Sequence, residues 1–148
     1  MRIKKLNDGA ERVFAVVFQS GEDPMAGLTE MARQREFNAS SFTGIGAFRR
    51  AVLGFFDLDR SDYHRIPVEE QCEVVSLTGN IALVDGAPSL HIHATLGRRD
   101  GSAVVGHLLE AEVRPTLELI LTELPACMAR RRDPATGLPL LAPSNLGD

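Results

Sequence analysis

The stretch EVVSLTGNIALVDGAPSLHIHATLGRRDGSAVVGHLLEAEV, residues 73–113, decides the fold. Apolar and polar residues alternate in runs of four to eleven, and turn residues separate the runs, which is the pattern of half-buried strands joined by hairpins. Cys72 to Leu77 and Ile81 to Val84 read as strands on either side of a Thr78-Gly79-Asn80 turn. Asp85-Gly86 is a strong hairpin signal, and Leu90 to Leu96 and Ala103 to Val113 flank the turn GRRDG. Thr116 to Leu124 continues the alternation and reads as one more strand, although its length also permits a helix.

Upstream, ERVFAVVFQ (residues 11–19) is β-branched and aromatic and predicts a first buried strand. A helix follows. Asp23 suits the N-cap, Pro24 the first helical position, and Leu28, Met31, Ala32 and Arg35 recur at three- and four-residue intervals to about Phe37. FTGIGAF (42–48) and AVLGFFDL (51–58) carry strand composition and read as two adjacent strands, with an acidic turn from Asp57 to Asp62 and a short segment from Tyr63 to Val68 after them. Phe55 and Phe56, side by side, put one ring on each face of a strand, as a sheet covered on both sides requires. One helix among many antiparallel hairpin signals predicts an α+β domain, mostly antiparallel sheet with one main N-terminal helix. Residues 1–128 form that single domain, and residues 129–148, rich in Pro and Gly and without periodicity, read as a tail that hangs free or packs on a neighbour.

Composition bounds the function. The chain has 148 residues, 44% apolar and 24% charged, enough for one core without disulfides or a structural metal. Its formal charge of -4 gives no overall gain on a phosphate backbone, so nucleic-acid binding needs a local basic patch. The apolar run Val13 to Phe18 is too short for a signal peptide's hydrophobic region and no segment approaches a membrane span, so no membrane role and a cytoplasmic location are expected. Cys72 and Cys127 stand far apart in no CxxC spacing and read as small buried hydrophobes.

The chemistry concentrates in Ser89-Leu90-His91-Ile92-His93-Ala94-Thr95-Leu96. On a strand, Leu90, Ile92, Ala94 and Leu96 form an apolar face, and His91, His93 and Thr95 share the other. The third candidate is His107, and the turn decides whether it reaches. A three-residue loop Arg99-Asp100-Gly101, with Gly in the left-handed position, opposes Arg98 to Ser102 and His93 to His107; a two-residue Asp100-Gly101 loop pairs His107 with Ala94 and turns it to the wrong side. Three imidazoles on one face suit zinc first, with nickel, copper or iron still open, and leave a fourth position for water, a carboxylate or a substrate. Spacing alone also fits hydrogen-bonded surface or interface histidines. Hydrolysis would need a general base; Glu110 and Glu112 are nearest in sequence, but on a regular strand their parity puts them on the opposite face from His107, and only a bulge or a neighbouring subunit brings them round.

By residues 73–124, with FTGIGA at 42–47 and LGFFD at 53–57, the sequence resembles the plants-and-prokaryotes conserved (PPC) domain family over about residues 2–126. The resemblance implies a single α+β domain assembled as a homotrimer, with LHIHATLG and GHLLEA supplying metal-binding histidines in prokaryotic members. His91, His93 and His107 occupy the matching positions and inherit the zinc-ligand role. It also implies a regulatory, scaffolding or small-ligand-binding role. The family is often labelled DNA-binding, chiefly through the AT-hooks of plant members, whereas this sequence has no Arg-Gly-Arg-Pro hook. A DNA-binding protein and a metal-dependent hydrolase or lyase are the competing classes.

Other features carry less. Gly44 and Gly46 lack the third Gly and the Gly-Lys-Ser/Thr of a phosphate loop, and read as sites of close backbone packing or a bulge. His64 among Asp57, Asp59 and Asp62 reads as part of a solvated loop. Arg130-Arg131-Arg132, with Arg98 and Arg99, is the only candidate basic patch, and without interleaved aromatics it reads as a solvated end of the domain.

Overall fold

Alternating side chains carry most of the chain into strands, in the order β1 (Arg2–Asp8), β2 (Arg12–Gln19), α1 (Pro24–Arg35), β3 (Ala39–Asp57), β4 (Asp62–Val68), β5 (Cys72–Val84), β6 (Ala87–Gly97), β7 (Ala103–Glu123), β8 (Ala129–Arg132) and β9 (Pro139–Leu141). The computed structural model describes residues 1–142. Among the described residues every strand pairing is antiparallel except β5 with β8. Four strands close a ring, since β3 joins β5, β5 joins β6, β6 joins β7 and β7 returns to β3. This is the α+β, single-domain architecture expected, and among the described residues no helix is long and apolar enough to cross a membrane.

Local chemistry sets the helix. The Asp23 carboxylate accepts from the backbone N–H groups of Met25 at 2.8 Å and Ala26 at 3.2 Å, which satisfies donors that the first turn leaves open. Glu36 ends the helix in the left-handed conformation, and the Phe37 N–H donates back to the Ala32 carbonyl. Leu28, Met31 and Ala32 face the core, where Phe14, Phe18, Phe42 and Phe48 are fully buried.

The long strands correct the segmentation expected from sequence. β3 runs through Arg49 and Arg50 as one strand, bending at register shifts around Gly44 to Gly46 and Phe48 to Arg50, where an extra residue lets the ladder resume. Gly44 sits against β7, where a Cβ would lie 2.6 Å from the Glu118 carbonyl oxygen, so close backbone packing is what this glycine serves. β5 likewise runs through the expected Thr78-Gly79-Asn80 turn. Gly79 pairs with Phe42, whose ring occupies the space beside it. β7 continues through Pro115 as a single strand, and β1, which the sequence reading did not assign, adds an edge to β2.

Residues 129–142, expected as a tail, pair with this chain's own β5: Leu83 lies beside Ala129 and Val84 beside Arg130, and β9 folds back on β8. The rest of that expected tail, 143–148, lies outside the described residues. Arg130 is 5% exposed, so it is no part of a solvated basic run; Arg132 donates to the Gly137 carbonyl. Cys72 is buried, but Cys127 is exposed, against the expectation that both are buried.

Candidate metal centre

The turn between β6 and β7 fixes the site. The Arg98 N–H donates to the Ser102 carbonyl at 2.8 Å, and the Gly101 N–H donates to the Arg98 carbonyl at 3.0 Å. Asp100 accepts from the Ser102 N–H and hydroxyl. Gly101 has φ +84°, a conformation that costs glycine nothing and a side chain about 1–2 kcal/mol. The loop is therefore Arg99-Asp100-Gly101, and the ladder that follows pairs Gly97 with Ala103 and His93 with His107.

All three expected histidines come together. One ligand-type atom from each of His91, His93 and His107 lies within 4.8 Å of the others, and the Nε2 atoms of His91 and His93 are 3.1 Å apart. Tetrahedral zinc with Zn–N of about 2.0–2.1 Å sets its nitrogens about 3.3 Å apart, so the first pair already has ligand spacing. His107 supplies a second observation: its Nδ1 is buried without a hydrogen-bond partner, and buried polar atoms rarely stay unpaired unless something else claims them. Burial, then the neighbouring His91 and His93, pulls the His107 pKa down to about 4. Burial, then His93 and Arg130, pulls His91 down as well. Neutral imidazole is the form whose lone pair binds metal, and this donor set fits a divalent ion with a preference for nitrogen.

The surroundings hold parts that the sequence reading missed. Gly54 pairs with His107, and a Cβ there would lie 2.7 Å from Tyr63 Cδ1. Its absence lets the Tyr63 ring lie over His107, centroids 5.0 Å apart at 30°, with Phe56 edge-on behind Tyr63 at 5.1 Å. The acidic turn between 51–58 and 63–68 was the available signal, because a hairpin there brings Tyr63 beside Phe56 and Gly54. Behind His91, its cross-strand partner Asn80 accepts from the buried Arg130 guanidinium, which also donates to the Ser89 carbonyl at 2.8 Å. The histidines open onto a cavity of about 570 Å³ whose walls include Tyr63, Ser76, Thr78, Thr95, Val105 and Leu138.

The carboxylates behave differently from the parity argument. β7 carries an extra residue at Leu109, since Leu53 pairs with Leu108 and Val52 with Glu110, so Glu110 and Glu112 turn to the same face as His107. They are engaged elsewhere. Glu110 pairs with Arg65, and Glu112 with Arg49 and Arg50 at 3.1 Å each, and neither lines the histidine cavity. His64 sits exposed on edge strand β4 opposite Phe55, not in a loop and not with the other histidines.

Known proteins agree with this architecture. The profile of the Plants and Prokaryotes Conserved (PCC) domain matches residues 6–125. A metal-containing protein from Archaeoglobus fulgidus superposes with a TM-score of 0.82 at 30% identity, over 95% of this chain and 96% of that one. A plant- and prokaryote-conserved protein from Pyrococcus horikoshii gives 0.83 at 27% identity, over 95% and 94%. A protein from Bacteroides thetaiotaomicron named as a DNA-binding candidate gives 0.84 at 27%, over 95% and 96%. No curated protein matches the sequence. With the profile spanning most of the sequence and the same sheet recurring in these structures, the chain belongs to the Plants and Prokaryotes Conserved domain family.

Proposed function

We propose that this is a metal-binding protein of the cytoplasm in which His91, His93 and His107 hold a divalent ion, zinc first, and that it acts as a homotrimer in a regulatory, scaffolding or small-ligand-binding role. The observation that carries the metal is the convergence of three imidazoles on one face of the β6–β7 hairpin. The similar protein from Archaeoglobus fulgidus, named as metal-containing, supports it. Self-association finds support in the outer face of the sheet, where Ile45 (61%), Val75 (58%) and Ile120 (50%) are exposed on one chain; apolar groups gathered on a face mark a surface that a partner covers.

Elemental analysis of the purified protein beside His93→Ala tests the site. The parent carries about one zinc per chain and the variant loses most of it; equal content in both sinks the proposal. Light scattering of the same samples tests the trimer, whose mass is three times the 16.1 kDa of one chain.

The DNA-binding reading rests on the naming of relatives such as the Bacteroides thetaiotaomicron protein. Against it stand the net charge of -4 and the burial of Arg130. It requires a duplex affinity that falls steeply with salt, and no shift at low salt removes it. A hydrolase or lyase needs a carboxylate within one water of the metal, and no described residue lining the cavity carries one.

A further inference from the structure

We infer that the histidine cavity takes a small organic monocarboxylate, its carboxylate on the metal and its apolar body against Tyr63, Val105 and Leu138. The inference rests on the metal reading above. Three neutral imidazoles leave a divalent ion with its whole charge uncompensated, and among the described residues the cavity walls offer no Asp or Glu to balance it. A carboxylate from solution would balance that charge, since a carboxylate oxygen is an ordinary zinc donor at about 2.0–2.2 Å. Among the described residues the walls offer no Lys or Arg either, so a second negative charge on the ligand would find no ion-pair partner there. That selects a single carboxylate over di- and polyanions.

The shape supplies the rest of the class. A cavity of about 570 Å³ falls in the ordinary range for organic ligands, about 300–1,000 Å³, and is far larger than acetate needs. Ser76, Thr78 and Thr95 line it with hydroxyls from β5 and β6, while Tyr63, Val105 and Leu138 present apolar surface. Leu138 comes from the segment between β8 and β9, beyond residues 6–125 that the family profile matches. Leu138 therefore lies outside the part of the sequence that the family profile matches, and it is a specificity-determining residue of the cavity.

The experiment uses the full chain loaded with cobalt(II), whose visible absorption reports changes at the metal, titrated with benzoate, acetate and benzamide. Benzoate should shift the spectrum saturably and bind about tenfold or more tighter than acetate, because ring burial adds to the same coordination; benzamide should give no shift. Leu138→Ala should weaken benzoate about threefold to tenfold and leave acetate within about twofold. Val105→Ala repeats that test from the opposite strand should Leu138→Ala fail to fold. Stoichiometric cobalt with benzoate no tighter than acetate, or with benzamide as good as benzoate, overturns the ligand class and leaves the metal reading standing. Absence of cobalt uptake overturns both.

Discussion

The two faces of the β6–β7 hairpin run opposite rules along the same backbone. On the inner face Ile92, Leu96 and Leu108 are at most 1% exposed and belong to the core. On the outer face His91 and His93 stand in solvent, His107 is half-buried, and Val105 is uncovered. The inner face can be satisfied by any apolar side chains of the right volume, and its residues are held in place by contacts from α1, β3 and β5. The outer face makes few such contacts, so nothing in the stability of the fold requires imidazole at three positions. The separation teaches that the hairpin delivers the site, while the site contributes little to holding the hairpin.

The sharpest way to break this contrast is to cut each face in turn at neighbouring positions. Ile92→Ala should lower stability by about 2–5 kcal/mol, through lost burial and the cavity left behind, while the folded fraction keeps its full metal content. The adjacent His93→Ala should do the reverse, losing metal while the metal-free protein unfolds within about 1 kcal/mol of the parent. Urea titration with chelator present, paired with metal analysis without it, checks both. A large stability loss in metal-free His93→Ala would show that the outer face is structural after all.

A smaller effect is expected at the turn that sets the register. Gly101→Val forces a β-branched residue into a left-handed conformation, at a cost of about 1–3 kcal/mol. Shortening the turn to two residues would pair His107 with Ala94, but it would also turn Leu108 out of the core, so the register should hold. The variant should therefore lose stability and keep its zinc affinity, and metal titration beside the unfolding midpoint measures both. Zinc affinity lost out of proportion to stability would mean that the glycine sets the register.

What was legible in the sequence was local. The odd loop, the shared face of His91 and His93, and the cap at Asp23 each depend on a few adjacent residues, and the structure has them as read. What was hidden depends on partners far along the chain. Thr78-Gly79-Asn80 has turn composition, but Phe42 from β3 covers the glycine and holds the strand straight. The bulge at Leu109, which reverses the facing of Glu110 and Glu112, follows from the fit of β7 against β3, and no turn residue announces it. β1, carrying Lys4 and Lys5 along an exposed edge, lacks the apolar alternation that marks a half-buried strand. Arg130 reads as solvated because a run of Arg usually is, and only the parallel pairing of β8 on β5 brings it to Asn80 and Ser89.

The finest test separates the one outer-face histidine that shares some of the inner face's burial. In the metal-free protein the His107 pKa is about 4, against an ordinary value of 6.5, because burial disfavours its charged form. Between those values the unfolded chain binds a proton that the folded chain refuses, so stability rises with pH across this window. The contribution is fully present above about 6.5, is lost as the pH falls toward 4, and no longer changes below that. Denaturant midpoints measured from pH 7 to 4 with chelator should therefore slope downward, and His107→Gln should flatten part of the slope. Tyr63 supplies the cover, its ring lying over His107 where Gly54 leaves room. Tyr63→Ala should let water reach the imidazole and move its titration back toward 6.5, with a loss of about 0.5–1.5 kcal/mol for the ring contact beyond the area it buries. Proton NMR of the imidazole follows the midpoint directly. A His107 that titrates near 6.5 in the parent would place all three rings in solvent and erase the one link between the two faces.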